Sequence, residues 1–162
     1  MDGQPFPQIG ELCARKAHTI KRSSKSWPVG LAVRGFTPVN FRALLVVEGG
    51  GDYLAALHFT LEEKADCLPI AFLGAGTASK IHPDALPLLR GRRVRFYPHH
   101  DPSGTGGKAV SKWAEQFNAV GATVDAFYLA GLRKADGSPV KDLNDCTRIH
   151  PDDAAELEDL LP

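Results

Sequence analysis

From residue 43 onward the chain alternates short apolar runs with stretches of helical period, and each apolar run ends in a polar or glycine-rich turn. Few folds accept that pattern. Ala43-Leu44-Leu45-Val46-Val47 is apolar without interruption, as a strand buried on both faces of a parallel sheet must be, and it stops at Glu48. Gly49-Gly50-Gly51 turns the chain, and Asp52 is placed as the N-cap of a helix through Leu54, Ala55, Leu57 and His58. Cys67-Leu68-Pro69-Ile70-Ala71-Phe72-Leu73 gives a second strand, whose Pro69 demands a strand start or a sheet edge. Pro83 to Leu89 reads as a short helix and Val94-Arg95-Phe96-Tyr97 as a third strand, followed by His99-His100-Asp101. Val110, Trp113, Ala114, Phe117 and Val120 share one face of a helix over 108–120, which makes Trp113 and Phe117 core residues. Thr123 to Leu129 is a fourth strand, and a last helix is expected over 152–161. Strand and helix alternating at this spacing predict right-handed crossovers, hence an α/β fold with about four mainly parallel strands flanked by helices.

Composition agrees with one such domain. The chain has 162 residues, of which 43% are hydrophobic and 23% charged, enough apolar material for a single core and too much for wholesale disorder. No apolar run approaches the length needed to span a bilayer. Met1-Asp2-Gly3-Gln4-Pro5 lacks the basic start of a signal peptide, so a cytoplasmic protein with no membrane partner is expected. Cys13, Cys67 and Cys146 are scattered and unpaired in sequence, which points to small buried hydrophobes. Net charge is zero but unevenly spread. Between Leu12 and Val47 stand seven Lys or Arg residues and no acid, and a second basic knot holds Arg90, Arg92, Arg93 and Arg95. Residues 1–40 read as an irregular basic leader and 41–162 as the folded domain.

In open parallel sheets the ligand site lies beyond the carboxyl ends of the strands. That rule singles out Glu48 after strand one, His99 to Asp101 after strand three, and Lys141-Asp142-Leu143-Asn144-Asp145 after strand four. Strands one and three are commonly neighbours, which would let Glu48 and Asp101 converge. Clustered carboxylates repel, and a cation relieves them; a site rich in oxygen donors suits magnesium, which keeps positions open for water and phosphate oxygens. Taken singly, Glu48 reads better as the cap of a turn and Asp101 as the cap of the following helix; together, each just past an apolar strand and before a glycine-rich turn, they read as a site.

The same residues carry a family resemblance. Leu45-Val46-Val47-Glu48-Gly49-Gly50-Gly51-Asp52-Tyr53-Leu54-Ala55-Ala56 resembles the first motif of Toprim domains, an apolar strand, Glu-Gly, then Asp and small residues opening a helix. Val94 through Gly104 resembles the second, Asp-x-Asp-x-x-Gly, and Lys141-Asp142 resembles the Lys-Asp segment of primase-type members. The likeness covers about residues 43 to 146. It implies a compact Toprim or Rossmann-like fold and a nucleic-acid-processing role related to DNA primase of phage or plasmid type. It further implies Glu48 as general acid or base. Magnesium or manganese would be held by Glu48, His99, Asp101 and Asp142. Lys141 would touch phosphate; Lys108 and the knot of Arg90, Arg92 and Arg93 would bind nucleic acid, with single-stranded DNA as the expected partner and a helicase or other replication protein as a further one. A Toprim-type nuclease would use the same residues. One position departs from the motif: His99 stands where the first Asp belongs. A neutral imidazole is a poor ligand for magnesium and a better one for manganese or zinc. Three readings follow: a weakened catalyst, a catalyst with altered metal preference, and a module that binds without catalysis.

Two other glycine-rich segments are set aside. Gly104-Thr105-Gly106-Gly107-Lys108 lacks the Walker spacing, because Pro102 and Ala109 occupy the required Gly and Ser/Thr positions, although it can still offer backbone N–H groups to a phosphate. Gly74-Ala75-Gly76-Thr77-Ala78-Ser79 is a partial dinucleotide fingerprint with no acid ending the next strand. Trp27 and Phe36, in the basic leader, are the aromatics placed to stack on bases.

Overall fold

The uninterrupted apolar run Ala43–Val47 forms an interior strand, β1 (Ala43–Glu48), whose first five residues are buried. The computed structural model describes residues 25–31, 40–74, 80–101 and 104–162. β1 leads into α1 (Gly49–Glu62), then β2 (Cys67–Phe72), a 3-10 turn at Leu86–Leu89, β3 (Arg93–Phe96), α2 (Thr105–Ala119) and β4 (Thr123–Ala126). Two 3-10 helices, Leu143–Arg148 and Pro151–Leu157, follow. The four strands are all parallel in the order β2-β1-β3-β4, with Val46 level with Ile70 on one side and with Phe96 on the other. This is the expected α/β architecture. Pro69 lies on the edge strand, where its missing N–H costs no ladder bond to an inner neighbour.

Alternate side chains of β1 feed two cores, one on each face of the sheet. Leu44 and Val46 join Ile70, Phe72, Val94 and Phe96 beneath α2, where Phe72 stacks on Trp113 at 4.5 Å and Phe96 meets Phe117 edge-on at 5.4 Å. Ala43, Leu45 and Val47 join Ala55 and Ala56 of α1 and, from the C-terminal segment, Leu129, Val140, Leu143 and Cys146. Trp113 and Phe117 are therefore core, as their helical spacing predicts. Trp27 also packs inward, its indole N–H donating to the Leu31 carbonyl and its ring meeting His82 edge-on.

Three local expectations need correction. α1 begins at Gly49, so Asp52 sits within its first turn and Glu48 takes the N-cap position. Where a helix over 83–89 is expected, the described residues form a 3-10 turn at Leu86–Leu89, because Pro87 cannot donate the bond that a longer helix needs there. The C-terminal helix expected over 152–161 is a 3-10 segment ending at Leu157. Most of the basic leader, with Cys13, Phe36 and the 75–79 part of the glycine fingerprint, lies outside the described residues. Among the described residues no helix is long and apolar enough to cross a membrane.

Candidate metal centre at the strand ends

β1 and β3 run side by side, so the residues just past them meet at one end of the sheet. From β1 come Glu48 and, one helical turn on, Asp52. Glu48 ends the strand and Asp52 lies in the first turn of α1, and both carboxylates reach His99 beyond β3. From β3, Tyr97 extends the ladder by donating to the Val46 carbonyl at 3.3 Å, and His99 follows. His99 Nε2 lies 2.5 Å from Asp52 Oδ2, and its Nδ1 lies 4.0 Å from Glu48 Oε2. The His99 backbone is pressed against Gly106 in the first turn of α2. A side chain there would place its first carbon 2.9 Å from His99 Cβ and 3.1 Å from its carbonyl oxygen.

The third contributor comes from far along the chain. Asp142 is the N-cap of the Leu143–Arg148 helix, its Oδ1 accepting the Asp145 N–H at 2.9 Å. Asp145 in turn accepts the Lys141 N–H at Oδ2 at 3.0 Å, while Lys134 Nζ stands 3.4 Å from its Oδ1. Two bonds moor this loop to the site: His100 N–H donates to the Lys141 carbonyl at 2.7 Å, and Asn144 N–H donates to Asp52 Oδ1 at 2.9 Å. As a result Asp52, His99 and Asp142 each present a ligand-type atom within 4.8 Å of the other two, a cluster that could hold a metal ion.

Electrostatics follow from burial. Asp52 is only 4% exposed, and a carboxylate so deep needs donors, which Asn144 and His99 supply. The hydrogen bond to Asp52 raises the His99 pKa to about 8, against the opposing effect of burial and with help from the charges of Asp52, Glu48 and Asp142. Asp142 is pushed above the usual carboxylate range, first by burial and then by the charge of Asp52. Nearby Cys146 is pushed up to about 12, mainly by burial, and remains a thiol, in keeping with a small buried hydrophobe. Without a metal, a protonated His99 is thus the cation that compensates this acidic end of the sheet.

Of the residues named from the sequence, Glu48, His99 and Asp142 come together here. Asp101 lies outside the cluster: its Oδ2 accepts the Gly106 N–H at 3.0 Å and its carbonyl accepts the Gly104 N–H, so it fastens the opening of α2. Lys141 and Lys108 are exposed, Lys108 in the first turn of α2. Arg90, Arg92 and Arg93 precede or begin β3 and so stand at the amino end of the parallel sheet, opposite the cluster rather than on its face. Arg93 is 3.6 Å from Asp125, and Arg95 makes two bonds to that same carboxylate. Asp52 is the candidate ligand that the N-cap reading hides; the signal lies in its place within the first turn, once the helix is started at Gly49. No family model, no curated protein and no solved structure matches the chain.

Proposed function

We propose that this chain is a Toprim-type, divalent-metal-dependent domain that processes nucleic acid and is related to DNA primase. One observation carries the reading: Glu48 and Asp52 beyond β1, His99 beyond β3 and Asp142 from the C-terminal segment converge at the carboxyl ends of two neighbouring parallel strands. The donor set suits a divalent cation. Two carboxylates and an imidazole lie within reach of one ion, and the nitrogen donor favours manganese over magnesium. Asp52, His99 and Asp142 would be its ligands. A bound divalent cation would supply positive charge where negative charge builds on a transferring phosphoryl group. Glu48, half-buried at the head of α1, is the residue to move a proton. Lys141, exposed beside Asp142, is the residue to touch phosphate. The nucleic acid is single-stranded DNA in this reading, and a helicase or another replication protein is the expected companion.

Calorimetric titration of manganese and magnesium is the test. Manganese should bind the parent protein more tightly than magnesium, and Asp52→Asn should lose both. His99→Asp should restore the oxygen set and raise magnesium affinity. Failure of either ion to bind at millimolar concentration would reject the metal centre. The His99–Asp52 bond favours a second reading, a module that binds without catalysis, because it ties up both groups. If metal binds but Glu48→Ala changes neither primer synthesis nor nicking while DNA retention persists, that second reading stands.

A further inference from the structure

Away from the strand ends, α1 and the edge strand β2 line a half-open groove of about 440 Å³ that the centre above does not use. Tyr53, Leu57 and Leu61 of α1 form one wall, Leu68 and Pro69 of β2 the other, and Phe41 closes a side. Small-molecule sites typically measure about 300–1,000 Å³, and this groove has that size.

The polar atoms of the lining state which ligand. Among the described residues Lys64 is the one charged side chain of the wall, and it takes part in no ion pair there. The acids nearest to it in sequence, Glu62, Glu63 and Asp66, are exposed and not part of the lining. Thr60 spends its hydroxyl proton on the Ala56 carbonyl at 2.7 Å, which leaves the Lys64 ammonium and the Tyr53 hydroxyl to donate. A lone cation at one end of an apolar groove calls for an acidic head on an apolar body.

The backbone is strained at the same residue. Lys64 has φ 50°, the left-handed region, at the position after a helix where glycine is the usual choice. The turn is closed by Lys64 N–H to the Leu61 carbonyl at 3.2 Å and Ala65 N–H to the Thr60 carbonyl at 3.0 Å. Glycine would make this turn without strain, so the lysine carries a backbone cost that glycine would avoid.

We propose that this groove binds a small amphiphile with an apolar tail among Leu57, Leu61 and Pro69 and a single acidic head held by Lys64. Titration of decanoate and of decylamine into the full chain, each below its micellar range, tests it. Decanoate should bind saturably at one site and more tightly than decylamine. Lys64→Gly should raise Tm, because it relieves the turn, and yet weaken decanoate about ten-fold, the cost of one charge-assisted hydrogen bond. Leu57→Trp, which fills the groove, should abolish binding. Equal affinity for decanoate and decylamine, unchanged affinity in Lys64→Gly, or self-association with no ligand uptake would each overturn the proposal. The metal titration above reads a separate site, so either result can fail without the other.

Discussion

His99 and Asp52 make a pair whose strength depends on pH, and its sign can be worked out. The histidine pKa is raised in the folded chain to about 8, above its ordinary value of 6.5. Its contribution to stability is therefore complete below the ordinary value and disappears as pH climbs through about 8. The size is on the order of 2 kcal/mol. Urea denaturation of the metal-free protein should lose that stability across the neutral to mildly alkaline range, and Asp52→Asn should flatten the dependence. Asp142 works the other way. Its carboxyl is raised by burial, so its ionised form costs stability above the folded pKa. Asp142→Asn keeps a good N-cap residue and removes that cost. This variant should melt higher than the parent without metal and bind manganese more weakly, a trade expected where function and stability compete.

Two elements hold the centre without touching an ion. Gly106 lets α2 lie against the His99 backbone, and a methyl group there would press on atoms that cannot swing aside. Gly106→Ala should cost about 1–3 kcal/mol in denaturant melts and also weaken manganese binding, because relief requires His99 to shift. The Asp142–Asp145 pair is the other device. Asp145→Ala frees the Lys141 N–H and loosens the residue that presents Asp142. Manganese affinity should fall about 10-fold, the usual effect of losing a group that orients a ligand, with the far-ultraviolet spectrum unchanged. The sheet was readable from sequence because period and burial coincide: Ala43–Val47 could be little other than an interior strand, and Pro69 confined its strand to a start or an edge, of which the structure shows the edge. Residues at strand ends were readable by the same logic, which found Glu48, His99 and Asp142. Asp52 was not, because aspartate is as natural at an N-cap as in a first turn, and three glycines give no periodicity to choose between them. The partner of its second oxygen, the Asn144 backbone N–H, lies 92 positions away and leaves no side-chain signature.

Among the described residues, the candidate centre and the arginine knot lie at opposite ends of the sheet. The acidic cluster sits at the carboxyl end of the parallel strands, while Arg90, Arg92 and Arg93 sit at the amino end, where Arg93 and Arg95 pair with Asp125. Charge reversal at Arg90, which is exposed, should leave manganese affinity unchanged. If single-stranded DNA does bind at this end, the same change should lower the salt dependence of DNA retention by about one counterion for each phosphate left without its arginine. An unaltered salt slope would take these arginines out of the interface. The separation in space has a counterpart along the chain. Glu48 and Asp142 are joined through nearly the whole of the sheet and both its faces, so the centre closes only after β1, β3 and the C-terminal loop have found each other. Pairings of such long sequence separation form slowly, since loop entropy is spent before they give anything back. The ability to capture manganese should therefore appear in the last kinetic phase of refolding, later than secondary structure, and the ion would serve as a clock for the completion of the fold.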